Sequence, residues 1–147
     1  MCHSPRSRTR CELHPDGLPD LFIDRSLGRV QVPSLLRAAG LRLTTLSEFY
    51  GIPTDEDVED VAWLELAGRH GWAAFMKDAE IRRRPAERTA VRAYGVRAFC
   101  LSAGSLPAER MASRYLDNLV AITEACQQPG PFIYSVYESR IARLPLD

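Results

Sequence analysis

Two aspartates each close an apolar run. "LFID" ends at Asp24, and "WAAFMKD" ends at Asp78, directly after the single lysine of the chain, Lys77. Carboxylates at the ends of buried segments can do one kind of chemistry well. If the fold brings them together they repel, so that one takes a proton or a cation sits between them. All-oxygen sites suit hard cations such as Mg²⁺ or Mn²⁺. A third acid is available in "TDEDVEDVAWL", which carries Asp55, Glu56, Asp57, Glu59 and Asp60. Acids in a first helical turn suit the helix dipole, which accounts for Asp55, Glu56 and Asp57 without a ligand. Asp60 lies deeper in the expected helix, four residues after Glu56, a like-charge spacing that a bound cation would relieve. Asp60 is therefore the expected third ligand and Asp57 the alternative, while Glu48 stands on the same expected edge. Asp24 and Asp78 would equally suit caps of the following turns. Lys77 and the run Arg82-Arg83-Arg84 could contact the phosphates of a polyanion, or be a solvated charge run.

The elements that would position these acids follow from the pattern. Leu21–Ile23 is a short apolar run that predicts a buried strand. "PSLLRAAG", with Pro33 near its start and Gly40 at its end, predicts a helix. "LRLTTL" alternates and predicts a second strand. A helix is expected from about 55 to 69, with Thr54 and Asp57 resembling a capping box. Residues 72–77 predict the third strand. "PAERTAVRAY", ended by Gly95, predicts a helix, and "VRAFCLS" the fourth strand. Residues 107 to about 127 carry apolar positions at helical spacing. After Pro129-Gly130-Pro131, "FIYSVYESRIARL" predicts a closing hairpin that turns near Glu138-Ser139. Its apolar content exceeds what a free edge should expose, so it must pair with the sheet, a second subunit or a partner. Strands alternating with helices imply a three-layer α/β/α sandwich with a central parallel sheet and right-handed crossovers. In such a sheet the site lies beyond the carboxyl ends of the strands, where the order reverses. An order of 2-1-3-4 would place Asp24 and Asp78 on neighbouring strands.

The bulk numbers bound the classes. A chain of 147 residues, 46% hydrophobic and 26% charged, fits a single globular domain. Zero formal charge argues against a uniformly basic coat but allows a local basic groove. No apolar run nears the length of a membrane helix and no signal-peptide core is seen, so a cytoplasmic protein is expected. Residues 1–18 lack periodicity and are read as a flexible extension, with the domain over 19–147. Within the extension Cys2, His3, Cys11 and His14 are zinc-ligand types at spacings poor for a finger. Cys100 and Cys126 read as small core residues, and His70 as a helix C-terminal residue favoured by the dipole. The one glycine of "DRSLGR" makes no phosphate-binding fingerprint.

From about residue 19 to 144 the chain resembles the PIN-like domain proteins of bacteria, relatives of VapC-type toxins. The resemblance is carried by "LFIDRSLGR", "VPSLLRAAG", "DVAWLELAGRHGWAAFMKDAEIRRRPAE", "GVRAFCLS" and "PGPFIYSVY". It implies a Mg²⁺- or Mn²⁺-dependent ribonuclease whose acids are Asp24, Asp78 and, less directly, Asp60. It also implies an antitoxin protein that covers the acidic site, and a homodimer. The chain departs from the family where a fourth acid is common. That region reads "CLSAGS", and Ser102 or Ser105 offers only a hydroxyl, so a non-catalytic interaction module of the same fold is the alternative.

Overall fold

The computed structural model describes residues 14–77, 79–102 and 104–146. Among these residues six strands form one sheet: β1 Leu21–Ile23, β2 Leu43–Thr45, β3 Ala73–Met76, β4 Arg97–Leu101, β5 Phe132–Val136 and β6 Ile141–Leu144. Their order is β2-β1-β3-β4-β5-β6, with β1 to β5 parallel and β6 antiparallel to β5. The order reverses between β1 and β3, as the strand pattern predicts. β1 and β3 are buried along their whole length, which is why they read as unbroken apolar runs rather than alternating ones.

Among the described residues, six α-helices cover the two faces: α1 Gln31–Ala38, α2 Leu46–Tyr50, α3 Asp60–His70, α4 Pro85–Tyr94, α5 Ala108–Asp117 and α6 Leu119–Ala125. The period-two alternation sorts side chains between the layers. Leu21, Ile23, Phe75, Phe99 and Phe132 join Val32 and Leu36 of α1 and Tyr115 and Ile122 of α5 and α6. Phe22, Ala74, Met76, Ala98 and Ile133 join Trp63 and Leu64 of α3 and Val91 of α4 on the other face. Full burial of side chains this large stabilises by about 1.5–3 kcal/mol each. Gly68 lets α3 and α4 approach closely, since a Cβ there would stand 2.5 Å from Tyr94 Cβ.

Four expectations change. The helix expected from 55 begins only at Asp60, after a separate 3₁₀ turn, Thr54–Asp57, in which Thr54 makes no cap. Asp55 is drawn inward to Arg29 there, and the crowded acids are spared helical i,i+4 contacts. The helix expected over 107–127 breaks at Asn118, whose Nδ2 donates to the carbonyls of Arg114 and Tyr137, and such side-chain bonding competes with the helical ladder. The connection from β4 to β5 runs through α5 and α6 on the face that α1 covers. It therefore has the opposite hand to the other three crossovers, because α1 alone leaves that face bare beyond β3. The chain is already packed before residue 19: Leu18 is a core residue, and buried His14 bonds the Leu18 carbonyl through Nε2 and accepts from Arg42 N at Nδ1. With both ring nitrogens engaged, His14 is no zinc ligand as it stands; Cys2, His3 and Cys11 lie outside the described residues. The closing hairpin is integral to the sheet, since β5 pairs with β4 along its full length, and Tyr137 N donates to Arg140 O across the turn.

Tyr115 ties the layers together below the strand ends. Its ring stacks on Phe75 at 4.0 Å, and its fully buried hydroxyl lies 3.0 Å from the carbonyls of Met76 and Phe99. Burial pushes this hydroxyl well above its ordinary pKa, so it stays a donor. Tyr115→Phe strips both carbonyls of that donor and is expected to destabilise by about 1–3 kcal/mol in urea unfolding.

Candidate functional site

The site is built from the turn after β1. Asp24 N donates to Phe75 O at 3.0 Å, so the backbone of Asp24 extends the ladder onto β3. The chain then makes a 3₁₀ turn, Arg25–Leu27, that Asp24 caps: Oδ2 accepts from Ser26 N at 3.2 Å. Ser26 Oγ in turn accepts from Lys77 N at 2.9 Å, stitching this turn to the residue that follows β3. Gly28 ends the turn at φ +93° and ψ 164°, a backbone state open essentially to glycine alone.

Capping accounts for only half of Asp24. Its side chain is buried, and Oδ1 has no hydrogen-bond partner among the described residues. A buried carboxylate oxygen left unpaired is costly, and such atoms are rare unless a proton, ion or water completes them. The carboxyl is accordingly held above its ordinary pKa, first by burial and further by the negative charge of Asp60, while the Ser26 bonds act against the shift.

Asp60 is the first residue of α3, so its proximity comes from the start of the helix and not from a position deeper in it. Trp63 Nε1 donates to Asp60 Oδ1 at 2.9 Å, and Arg84 Nη1 stands 3.7 Å from Oδ2. Trp63 is itself locked, fully buried and stacked on Phe22 at 5.7 Å. The structure thus brings together Asp24, Asp60, the backbone of Lys77 and Arg84. Asp78 lies outside the described residues. Asp57 is exposed in its 3₁₀ turn. Glu48 is committed elsewhere: it completes the capping box of α2 with Thr45, and the Arg37 guanidinium holds its carboxyl below the ordinary range. Arg83 pairs with Glu80 at 3.6 Å, and Arg82 lies in the short turn Ala79–Arg82. Ser102 offers its carbonyl to Arg114 at 3.2 Å.

Hard-cation chemistry fits the two acids, because Asp24 Oδ1 is a buried carboxylate oxygen that no donor among the described residues completes. Among the described residues no three His, Cys, Asp or Glu side chains group as a ligand set. Sequence reasoning missed Ser26, Trp63 and Tyr115 as organisers of the site. For Trp63 a signal was present, since a tryptophan three residues after an acid shares its helix face.

A family model described as a PIN-like domain matches residues 19–103, which span β1 through β4 and both acids. The chain belongs to the PIN-like domain family. It is also 48% identical over 127 residues, 86% of this chain and 92% of the relative, to a Mycobacterium tuberculosis protein named "Putative ribonuclease VapC45". No solved structure matches it. In this family member no described helix is long and apolar enough to cross a membrane.

The unpaired oxygen has a consequence for stability. Because folding raises the Asp24 pKa, the folded state binds the extra proton, and stability falls as pH rises from the ordinary value of 3.8 through the raised one. Above that window the charged carboxylate is a liability in the metal-free protein. Asp24→Asn keeps the cap, since Asn and Asp cap equally well. It is expected to raise the melting temperature of metal-free protein at pH 7 by about 2–4 °C, the shift of about 1 kcal/mol for a chain of this size. Scanning calorimetry with a chelator checks this; a lowered melting temperature would show that the charge is already compensated.

Proposed function

We propose that this chain is an endoribonuclease that works with Mg²⁺ or Mn²⁺, the toxin of a toxin–antitoxin pair acting in the cytoplasm. The single observation that carries the reading is the buried Asp24 Oδ1, without a partner among the described residues, beside the charge of Asp60 at the reversal of strand order. Membership of the family and the ribonuclease name of the relative support it.

Asp24, Asp60 and Asp78 are assigned as the ligands that would hold the metal, with Asp57 as the alternative third acid. A divalent ion bound there supplies a water of lowered pKa and offsets charge on the scissile phosphate. Trp63 Nε1 keeps the Asp60 carboxylate in one rotamer, so that it need not reorganise. Lys77, Arg82, Arg83 and Arg84 are assigned to the phosphates of RNA. Arg84, now 3.7 Å from Asp60 Oδ2, turns from the carboxylate to a phosphate oxygen when RNA enters. An antitoxin protein would cover the acidic crevice, and the catalytic unit would be a homodimer.

The second reading, a non-catalytic interaction module, is favoured by "CLSAGS" in place of a fourth acid. Cleavage of RNA with Mn²⁺ by wild type, Asp24→Asn and Asp78→Ala decides between them. Loss of about 100-fold or more in both variants is expected, beyond what outer-shell changes cost. Equal cleavage by Asp78→Ala would remove Asp78 from the mechanism. No Mn²⁺ binding by wild type in a calorimetric titration would establish the module instead.

A further inference from the structure

Asp24 and Asp60 belong to segments that no strand pairing joins. Besides the stacking of Phe22 on Trp63, two arginines join the segments, Arg25 in the turn after β1 and Arg29 just beyond it. The Arg25 guanidinium donates to the Asp55 carbonyl at 2.7 Å and to the Val58 carbonyl at 3.0 Å. Arg29 grips the Asp55 carboxylate with both arms, Nε to Oδ2 and Nη2 to Oδ1 at 2.8 Å each, and Nη2 also reaches Glu56 Oε2 at 3.2 Å. Asp55 is fully buried, and the Arg29 guanidinium holds its carboxyl below the ordinary range. A bidentate, charge-assisted pair of this kind fixes orientation as well as distance.

The spacing along the chain gives this clamp its meaning. Arg25 directly follows Asp24, and Val58 stands two residues before Asp60. Between clamp and carboxylate there is almost no backbone to take up slack on either side. The oxygens of Asp55 are both spent on Arg29, and those Arg25 nitrogens are spent on carbonyls, so these groups are not ligands. The short 3₁₀ turn Thr54–Asp57 is the piece they hold.

We infer that Arg25, Asp55 and Arg29 are positioning residues that set the separation of Asp24 and Asp60, and through it the affinity for the divalent ion. The inference rests on the proposed metal site. Its alternative is a clamp that serves only the stability of the loop.

Mn²⁺ titration of the full chain without RNA separates these. Arg25→Met and Asp55→Asn are expected to weaken Mn²⁺ binding about tenfold, in the range of outer-shell substitutions. Arg25→Lys keeps the charge but not the fork, and is expected to fall between wild type and Arg25→Met. It also serves as the readout if Asp55→Asn does not fold. Arg37→Met, which breaks the distant pair with Glu48, controls for general destabilisation and is expected to leave Mn²⁺ affinity unchanged. Wild-type affinity in folded Arg25→Met, or equal weakening by Arg37→Met, would overturn the positioning role alone. Failure of wild type itself to bind Mn²⁺ would overturn the metal site, and the positioning role with it.

Discussion

A buried carboxylate whose second oxygen has no donor among the described residues is the constraint around which this molecule is arranged. Asp24 sits where two neighbouring parallel strands diverge in connectivity, so the helices that follow them leave to opposite faces of the sheet. The fold satisfies one oxygen with the turn it caps and leaves the other. Folding therefore works against this charge rather than with it, and stability must come from elsewhere. Two well-packed apolar layers supply it, with Trp63, Tyr115 and four buried phenylalanines, Phe22, Phe75, Phe99 and Phe132, among the largest side chains enclosed.

What surrounds Asp24 is immobilised in layers. The hydroxyl of Ser26 holds the end of β3 to the turn, Trp63 orients Asp60 while being locked against Phe22, and the Tyr115 hydroxyl lies on the carbonyls of Met76, at the end of β3, and Phe99, in the middle of β4. Preorganised groups of this sort need not rearrange as charge develops. The arginine clamp acts on the same principle at the level of backbone segments.

Much of this architecture was legible in residue order. The unbroken apolar runs of β1 and β3 announced a sheet covered on both faces, and Pro85 with Gly95 bracketed α4 correctly. The reversal between β1 and β3 followed from alternation of strands and helices. The boundaries near 55–60 and at Asn118 were not legible, because each is set by a bond to a distant partner: Asp55 to Arg29, and Asn118 to Tyr137. Local sequence carries no record of those partners. Glu48 illustrates the same limit. Its position suggested a site, but Arg37 and the Thr45 cap had already claimed it. The opposite hand of the last crossover is likewise a property of packing on α1, invisible in periodicity.

The most direct measurement is an anomalous-difference map from crystals grown with Mn²⁺. A peak bonded to Asp24 Oδ1 at about 2.0–2.2 Å, the distance of small octahedral cations from oxygen, is expected, with Asp60 as a further ligand. A map without density there, and with Asp24 Oδ1 instead completed by a protein donor, would contradict the metal site.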